Sequence, residues 1–368
     1  MKYSKTFSLY NFDHGFDKPT TIRLNPFEIK ISQTNINAAA KLSRRAITKL
    51  TWSPQGKPVV SKTPAKVGRI LKTATVRRIY SKSEDIDARN NPLVSDEIGD
   101  LCLLLSFLTG RRVFQESEMS GLEGGHYGES VVGRNYFLTA GPNWPGVSSL
   151  HREGMFPVLW AMVNSNSTND MIGKICYASA ALDTISTKWF KSEGQTYRED
   201  EQDAIRETRK KIEAVIRDSL KNSSIANDVL PRISGIFAPS ALMKLRSFLI
   251  SQGLLSQEPD KEERDRLKLL NSIRNRVVHS ADIPSEIHEN LNRRGEIAAS
   301  VLAITYDVCA IYISKVAGIN DFQINKSQED IVKFFKSGIF RGHKVFDEDY
   351  ESFSARLEEN WLNRYSGI

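Results

Sequence analysis

The chain is poor in cysteine, poor in histidine and without a long uninterrupted apolar run, and each shortage argues against a class of protein. Its three cysteines, Cys102, Cys176 and Cys309, are far apart and embedded in apolar stretches, a pattern of reduced core thiols and not of a disulfide framework or zinc site. Six histidines are present; His126 and His151 lack ligand-like spacing to cysteines or carboxylates, so no metal is expected. The longest apolar candidate, 301–319, is interrupted by Asp307 and Lys315, which argues against a membrane span. The opening segment MKYSKTFSLYNFDHGF has no continuous apolar stretch of the signal-peptide kind, so the expected location is the cytoplasm, with no membrane partner. The glycine cluster Gly121-Leu122-Glu123-Gly124-Gly125 does not end in Gly-Lys-Ser/Thr and follows no strong strand, so no nucleotide cofactor is expected there.

What is present is an ordinary folded composition, 40% hydrophobic and 26% charged, with charge unevenly distributed. The formal net charge is +7, yet residues 1–90 alone carry +12, leaving −5 for the remainder. A basic N-terminal region of this kind can meet a polyanion such as RNA, or can be a solvated surface.

A chain of 368 residues exceeds what one small core usually organises, and its pattern divides it. The first ninety residues read as short strands, with alternation around Ile22, Leu24, Phe27, Ile29 and Ile31, further β-branched positions in 67–80, and a turn near Trp52 to Gly56. Ser95, followed by Asp96 and Glu97, opens a helix that carries Leu101, Leu104, Leu105 and Leu108 and stops at Gly110, with Arg111 and Arg112 as cations at its C-terminus. Beyond Phe156 the periodicity is helical, with stretches at 171–190, 199–220, after Pro239, 259–279 and 295–316. Ser327 marks a further helix start, and Phe346, Tyr350, Phe353, Leu357 and Trp361 recur at helical spacing as packing residues. The expected fold class is α+β. A small β-rich basic domain over 1–94 precedes a connecting helix and loop region over 95–155, a helical bundle over 156–320 and a C-terminal helical extension over 321–368.

Near the end of the 259–279 helix stand Arg274-Asn275-Arg276-Val277-Val278-His279. An Arg and a His at such spacing arise about once by chance in a chain of this composition, and requiring Asn directly after the Arg lowers that to roughly a tenth. The residue types suit RNA cleavage. RNA carries its own nucleophile, the ribose 2′-hydroxyl, so the protein need only move protons and stabilise charge. Imidazole can take the proton from that hydroxyl or give one to the leaving 5′-oxygen, and a guanidinium can hold two phosphate oxygens. One imidazole cannot serve as base and acid in a single step, whereas two such helices related by a two-fold axis would supply both. Positions 274 and 279 lie about 140° apart on an ideal helix, so they do not share a face, and Arg274 is expected at the polar edge of the stripe formed by Ile273 and Val277.

With this arrangement of residues, the segment 160–318 resembles the HEPN superfamily, the higher eukaryotes and prokaryotes nucleotide-binding domains, whose signature is Arg, four to six residues, then His, with a polar residue directly after the Arg. The resemblance implies a helical bundle, dimerisation across the motif and metal-independent endoribonuclease activity with Arg274, Asn275 and His279 as catalytic residues. It further implies that Asp183, on an earlier helix, supports the site by orienting Arg274, the alternative for this residue being a solvated surface acid. Asn275 would bond a phosphate or brace the helix end, and Arg276 would attract RNA or be an ordinary exposed charge. A β-rich N-terminal region before such a bundle is similar to bacterial abortive-infection and antiphage proteins, which implies an RNA substrate, a homodimer, and a regulatory protein or phage-derived trigger as partner. The alternative is a HEPN-like fold that binds RNA, a nucleotide or a protein without chemistry.

Overall fold

The computed structural model describes residues 4–24, 27–42, 47–52, 58–63, 70–79, 93–115, 130–133, 136–139, 147–168, 170–193, 199–220, 225, 229–230 and 238–365. It is mixed α+β, a small antiparallel sheet near the N-terminus followed by helices. The glycine cluster at 121–125 and His126 lie outside the described residues, as does the turn at 53–57.

Strands β1 (Ser4–Tyr10), β2 (Thr20–Leu24) and β3 (Phe27–Ile31) are followed by helix α1 (Gln33–Leu42), the hairpin strands β4 (Ile47–Trp52) and β5 (Pro58–Thr63), and strand β6 (Lys72–Ile79). Buried positions change parity between Ile22/Leu24 and Phe27/Ile29/Ile31, because the stretch is two antiparallel strands with Leu24 opposite Phe27 and Ile22 opposite Ile29. Side chains alternate faces along each strand, so this register places all five on the core side of the sheet. Helix α1 was not anticipated; Asn35 holds its start by accepting from the Ser32 amide at 3.0 Å, and Ile36, Ala39 and Leu42 are buried.

Helix α2 (Leu93–Thr109) begins two residues before Ser95 and ends at Gly110, whose φ of 65° is the left-handed conformation that glycine adopts without penalty. Strand β7 (Phe114–Gln115) then joins the main sheet, whose order is β2-β3-β6-β1-β7. The fifth strand of the N-terminal sheet therefore comes from the region expected to be a connection. Arg111 is not the exposed partner of a helix end: it is 5% exposed, and Nη2 donates to the Leu42 carbonyl at 3.4 Å, tying the end of α1 to the end of α2. Burial lowers its pKa to about 10, with nearby Asp13 opposing that shift.

Two short helices, α3 (Tyr136–Thr139) and α4 (Val147–Arg152), lead into α5 (Phe156–Ser167), α6 (Met171–Glu193) and α7 (Glu199–Ser219). The bundle continues with α8 (Ala241–Ser251), α9 (Lys261–Ser280) and α10 (Leu291–Val316). Pro239 precedes α8, and Ser240 is the N-cap, accepting from the Met243 amide. Helix α6 is the hub, packed against α5, α8, α9 and α10. Helix α10 is the one described helix long and apolar enough to cross a membrane, and 72% of its most apolar stretch is buried in the fold. Helix α11 (Gln328–Ser337), the two-stranded β8 (Ile339–Phe340) and β9 (His343–Lys344), and α12 (Tyr350–Tyr365) close the chain against α9. Phe346 packs before α12 begins, so the aromatic series spans a loop and a helix. Cys102 and Cys309 are buried, whereas Cys176 is only half-buried, on the flank of α6.

Candidate functional site

Helix α9 carries four of the five sequence-derived site residues, and its ends are strongly specified. Asp260 caps the N-terminus by accepting from the Glu263 amide at 2.8 Å, and Glu263 returns a carboxylate to the Asp260 amide at 3.2 Å. This reciprocal box satisfies donors that a first turn otherwise leaves bare. At the other end Ala281 takes a left-handed conformation, φ 51° and ψ 33°, two residues beyond His279. A β-carbon is disfavoured there by roughly 1–2 kcal/mol relative to glycine.

Arg274 is inside the bundle. It shares the stripe of Leu267, Leu270 and Val277, at helical spacings of three, four and seven, and is 2% exposed, so the expectation of a polar-edge position is corrected. Positions 267, 270, 274 and 277 form one line along the helix, so the stripe that buries Leu267, Leu270 and Val277 carries Arg274 inward with them. A guanidinium in that line needs acceptors within the core. Two are present: Nη2 donates to Asp183 Oδ1 at 2.8 Å, from α6, and to Asn271 Oδ1 at 3.0 Å, one turn back on α9. Asn271 was not among the sequence candidates, although its i−3 offset from an arginine is a readable signal. Nε and Nη1 of Arg274 are buried with no hydrogen-bond acceptor among the described residues.

Asp183 is 52% exposed and forms the outward side of this pair. On the inner side lies Cys309 of α10: burial pushes its thiol well up, while Arg274 pulls it back and Asp183 adds to the rise. The Cys309 Sγ lies 4.0 Å from the Ala178 carbonyl on α6. The site is thus built where α6, α9 and α10 meet.

His279 is exposed in the last turn of α9, and among the described residues it makes no hydrogen bond or ion pair. Asn275 and Arg276 are both half-buried and stand four and three residues before His279, so both border its face of the helix. Val278 is exposed beside them at 36%. The chain therefore brings Arg274 to Asp183 but does not bring Arg274 to His279. His151 Nε2 is 2.7 Å from Asp100 Oδ2, a local pairing of α4 with α2. His288 Nδ1 accepts from the Asn290 amide at 3.0 Å beside the start of α10.

A second charged cluster, not foreseen from sequence, centres on Asp307 of α10. Lys326 Nζ lies 3.2 Å from its Oδ1, and Arg341 Nη2 lies 2.7 Å from its Oδ2. A cleft of about 350 Å³ beside it is lined by Ile311, Ile324, Lys326 and Gln328, and none of Arg274, Asn275, His279 or Asp183 reaches it. Among the described residues no group of three His, Cys, Asp or Glu side chains is placed to hold a metal ion. Comparison with family models, characterised proteins and solved structures yields no match.

Proposed function

We propose that this chain is a metal-independent endoribonuclease of the HEPN type, acting in antiphage defence or as a toxin, with a site completed by a second copy. The observation that carries this reading is Arg274: a guanidinium buried to 2% with Nε and Nη1 uncommitted, held by the half-exposed Asp183, in the same helix as an exposed His279. A buried donor without an acceptor costs about 1–3 kcal/mol, more for a charged group, so such groups call for an explanation. A phosphate oxygen reaching Nε and Nη1 would supply the missing acceptors. Asp183 keeps the cation in place until then, and like-charge repulsion moves its carboxylate aside when the phosphate arrives.

In this reading the ribose 2′-oxygen attacks the adjacent phosphorus as one His279 imidazole accepts the hydroxyl proton. The bond from phosphorus to the 5′-oxygen breaks as the second copy's protonated His279 gives that oxygen a proton. The products are a 2′,3′-cyclic phosphate and a free 5′-hydroxyl. Arg274 neutralises the charge that builds on the phosphorane, and Asn275, on the face of His279, bonds a non-bridging oxygen. The basic N-terminal region aids recruitment of the polyanion, and a regulatory protein or phage-derived trigger sets when cleavage occurs.

The separation of Arg274 from His279 within one chain favours a second reading, a HEPN-like fold that binds RNA, a nucleotide or a protein without chemistry. One experiment separates the two. The parent and His279→Ala proteins are incubated with total RNA in EDTA, and the new ends are mapped. Cyclic-phosphate ends formed by the parent and reduced about 10²–10⁴-fold in His279→Ala support the nuclease. Intact RNA at high concentration of either protein, with RNA bound equally by both, overturns it in favour of the binding module.

A further inference from the structure

Helix α7 is the least integrated long element of the described fold. Its apolar positions Ile205, Ile212, Val215 and Ile216 recur at helical spacing, yet none of its described side chains is buried, and Val215 is 63% exposed. Elsewhere an apolar stripe marks the side on which a helix packs: Leu267, Leu270 and Val277 of α9 are buried to 2% or less. Ile205, Ile212 and Ile216 are only half-buried, so the stripe of α7 lacks the full cover seen on α9 among the described residues. The helix is braced along itself instead, with Arg206 Nη1 2.9 Å from Asp203 Oδ1 and Arg209 Nε 2.8 Å from Glu213 Oε1.

Its charges are sorted by position. Residues 199–208 hold Glu199, Asp200, Glu201, Asp203 and Glu207 against Arg206, a balance of −4, and residues 209–219 hold Arg209, Lys210, Lys211 and Arg217 against Glu213 and Asp218, a balance of +2. This polarity selects among partners. A polyanion or an anionic lipid surface would be repelled by the first half. A parallel copy would set −4 against −4. An antiparallel copy sets each acidic half beside a basic half while the two stripes, each on a helix about 30 Å long, cover one another. We infer that α7 is a self-association element that pairs antiparallel with α7 of a second copy of this chain.

The inference rests on the stripe and the charge order of α7 and does not depend on the nuclease reading, although a two-fold pairing here would hold two copies together as a composite site requires. It is tested by sedimentation equilibrium of the full chain without RNA, so that its failure and a failure of RNA cleavage are separate results. The parent is expected to be a dimer that dissociates on dilution. Ile212→Glu/Ile216→Glu should weaken it by at least about tenfold, corresponding to roughly 1.4 kcal/mol. Because no described α7 side chain is buried, that variant should stay folded as a monomer, with the helical circular dichroism of the parent. Reversal of Arg209, Lys210 and Lys211 to Glu should also give a monomer, and mixing it with a Glu201→Lys/Asp203→Lys/Glu207→Lys protein should restore a mixed dimer. A parent that stays monomeric throughout, or a dimer unmoved by Ile212→Glu/Ile216→Glu, overturns the inference. So does a monomeric parent whose melting temperature falls with those substitutions, since its own chain would then cover the stripe.

Discussion

Asp307 and Arg274 are both charges buried in the helical bundle, and they differ in how completely they are answered. Each oxygen of Asp307 has a cation close by, Lys326, itself 3% exposed, at 3.2 Å from Oδ1 and Arg341 at 2.7 Å from Oδ2, although Oδ1 accepts no well-aligned hydrogen bond. Burial pushes the Asp307 carboxyl up, and the two cations pull it back. The cluster ties α10 to the segment before α11 and to the β8–β9 hairpin. Arg274 is answered on one nitrogen only, by a half-exposed acid and an amide. Charge that meets an opposite charge at each end stabilises a particular arrangement of elements. Charge left partly open calls for a further explanation, which for Arg274 the proposed phosphate would supply.

The comparison can be broken first at its closed end. Asp307→Ala leaves Lys326 buried without its acid and should lose about 3–5 kcal/mol of unfolding free energy in a denaturant titration. Activity per folded molecule should be unchanged. At the open end, Asp183→Ala should cost less, about 1–3 kcal/mol, because solvent reaches half of that pair. Arg274→Met should be nearly neutral or stabilising, since an apolar chain of similar length replaces an incompletely satisfied cation. If Arg274→Met instead costs as much as Asp307→Ala, Arg274 is as structural as the closed cluster and the contrast fails.

The smaller effects sharpen the scale. Ala281→Gly should stabilise by about 0.5–1 kcal/mol, read as a rise in melting temperature, by removing the β-carbon from a left-handed position. Smallest is the Arg293–Asp347 pair, with Nε to Oδ2 at 2.7 Å and Asp347 46% exposed. The hydrogen bond from Arg293 is the main cause holding the Asp347 carboxyl below its usual value, with slight burial opposing. A depressed acid contributes stability that is present above its unfolded pKa and lost as the pH falls through the folded one. Melting temperature should therefore fall as the medium is acidified below about pH 4, and Asp347→Asn should make that slope shallower without moving the neutral-pH value much.

Much of the helical half was legible because caps and periodicity are local. Ser327, Gly110 and the stretch ending at His279 could be read within a few residues of the observed ends, since first-turn acceptors and left-handed stops act over a single turn. The Arg274–Asp183 contact was anticipated only through resemblance, and Asn271 was readable but overlooked. What local reading missed has a common cause. Strand β7 and buried Arg111 depend on partners far along the chain, 69 residues from Arg111 to Leu42 and 106 from Leu9 to Gln115, and helix α1 is short and weakly patterned. The stripe of α7 reads like the stripe of α9, although only one of them is buried.

By itself the amino-acid sequence determined the class of the fold, the basic imbalance of the N-terminal region and the presence of Arg274, Asn275 and His279 in one helix, because composition, period and capping are properties of short stretches of chain. Tertiary structure alone decided that Arg274 lies inside and His279 outside, that Asp183 meets the first and not the second, and that Asp307 is closed by two cations. Burial and charge pairing depend on which helix faces which, and that is set only when the apolar stripes of α6, α9 and α10 pack together.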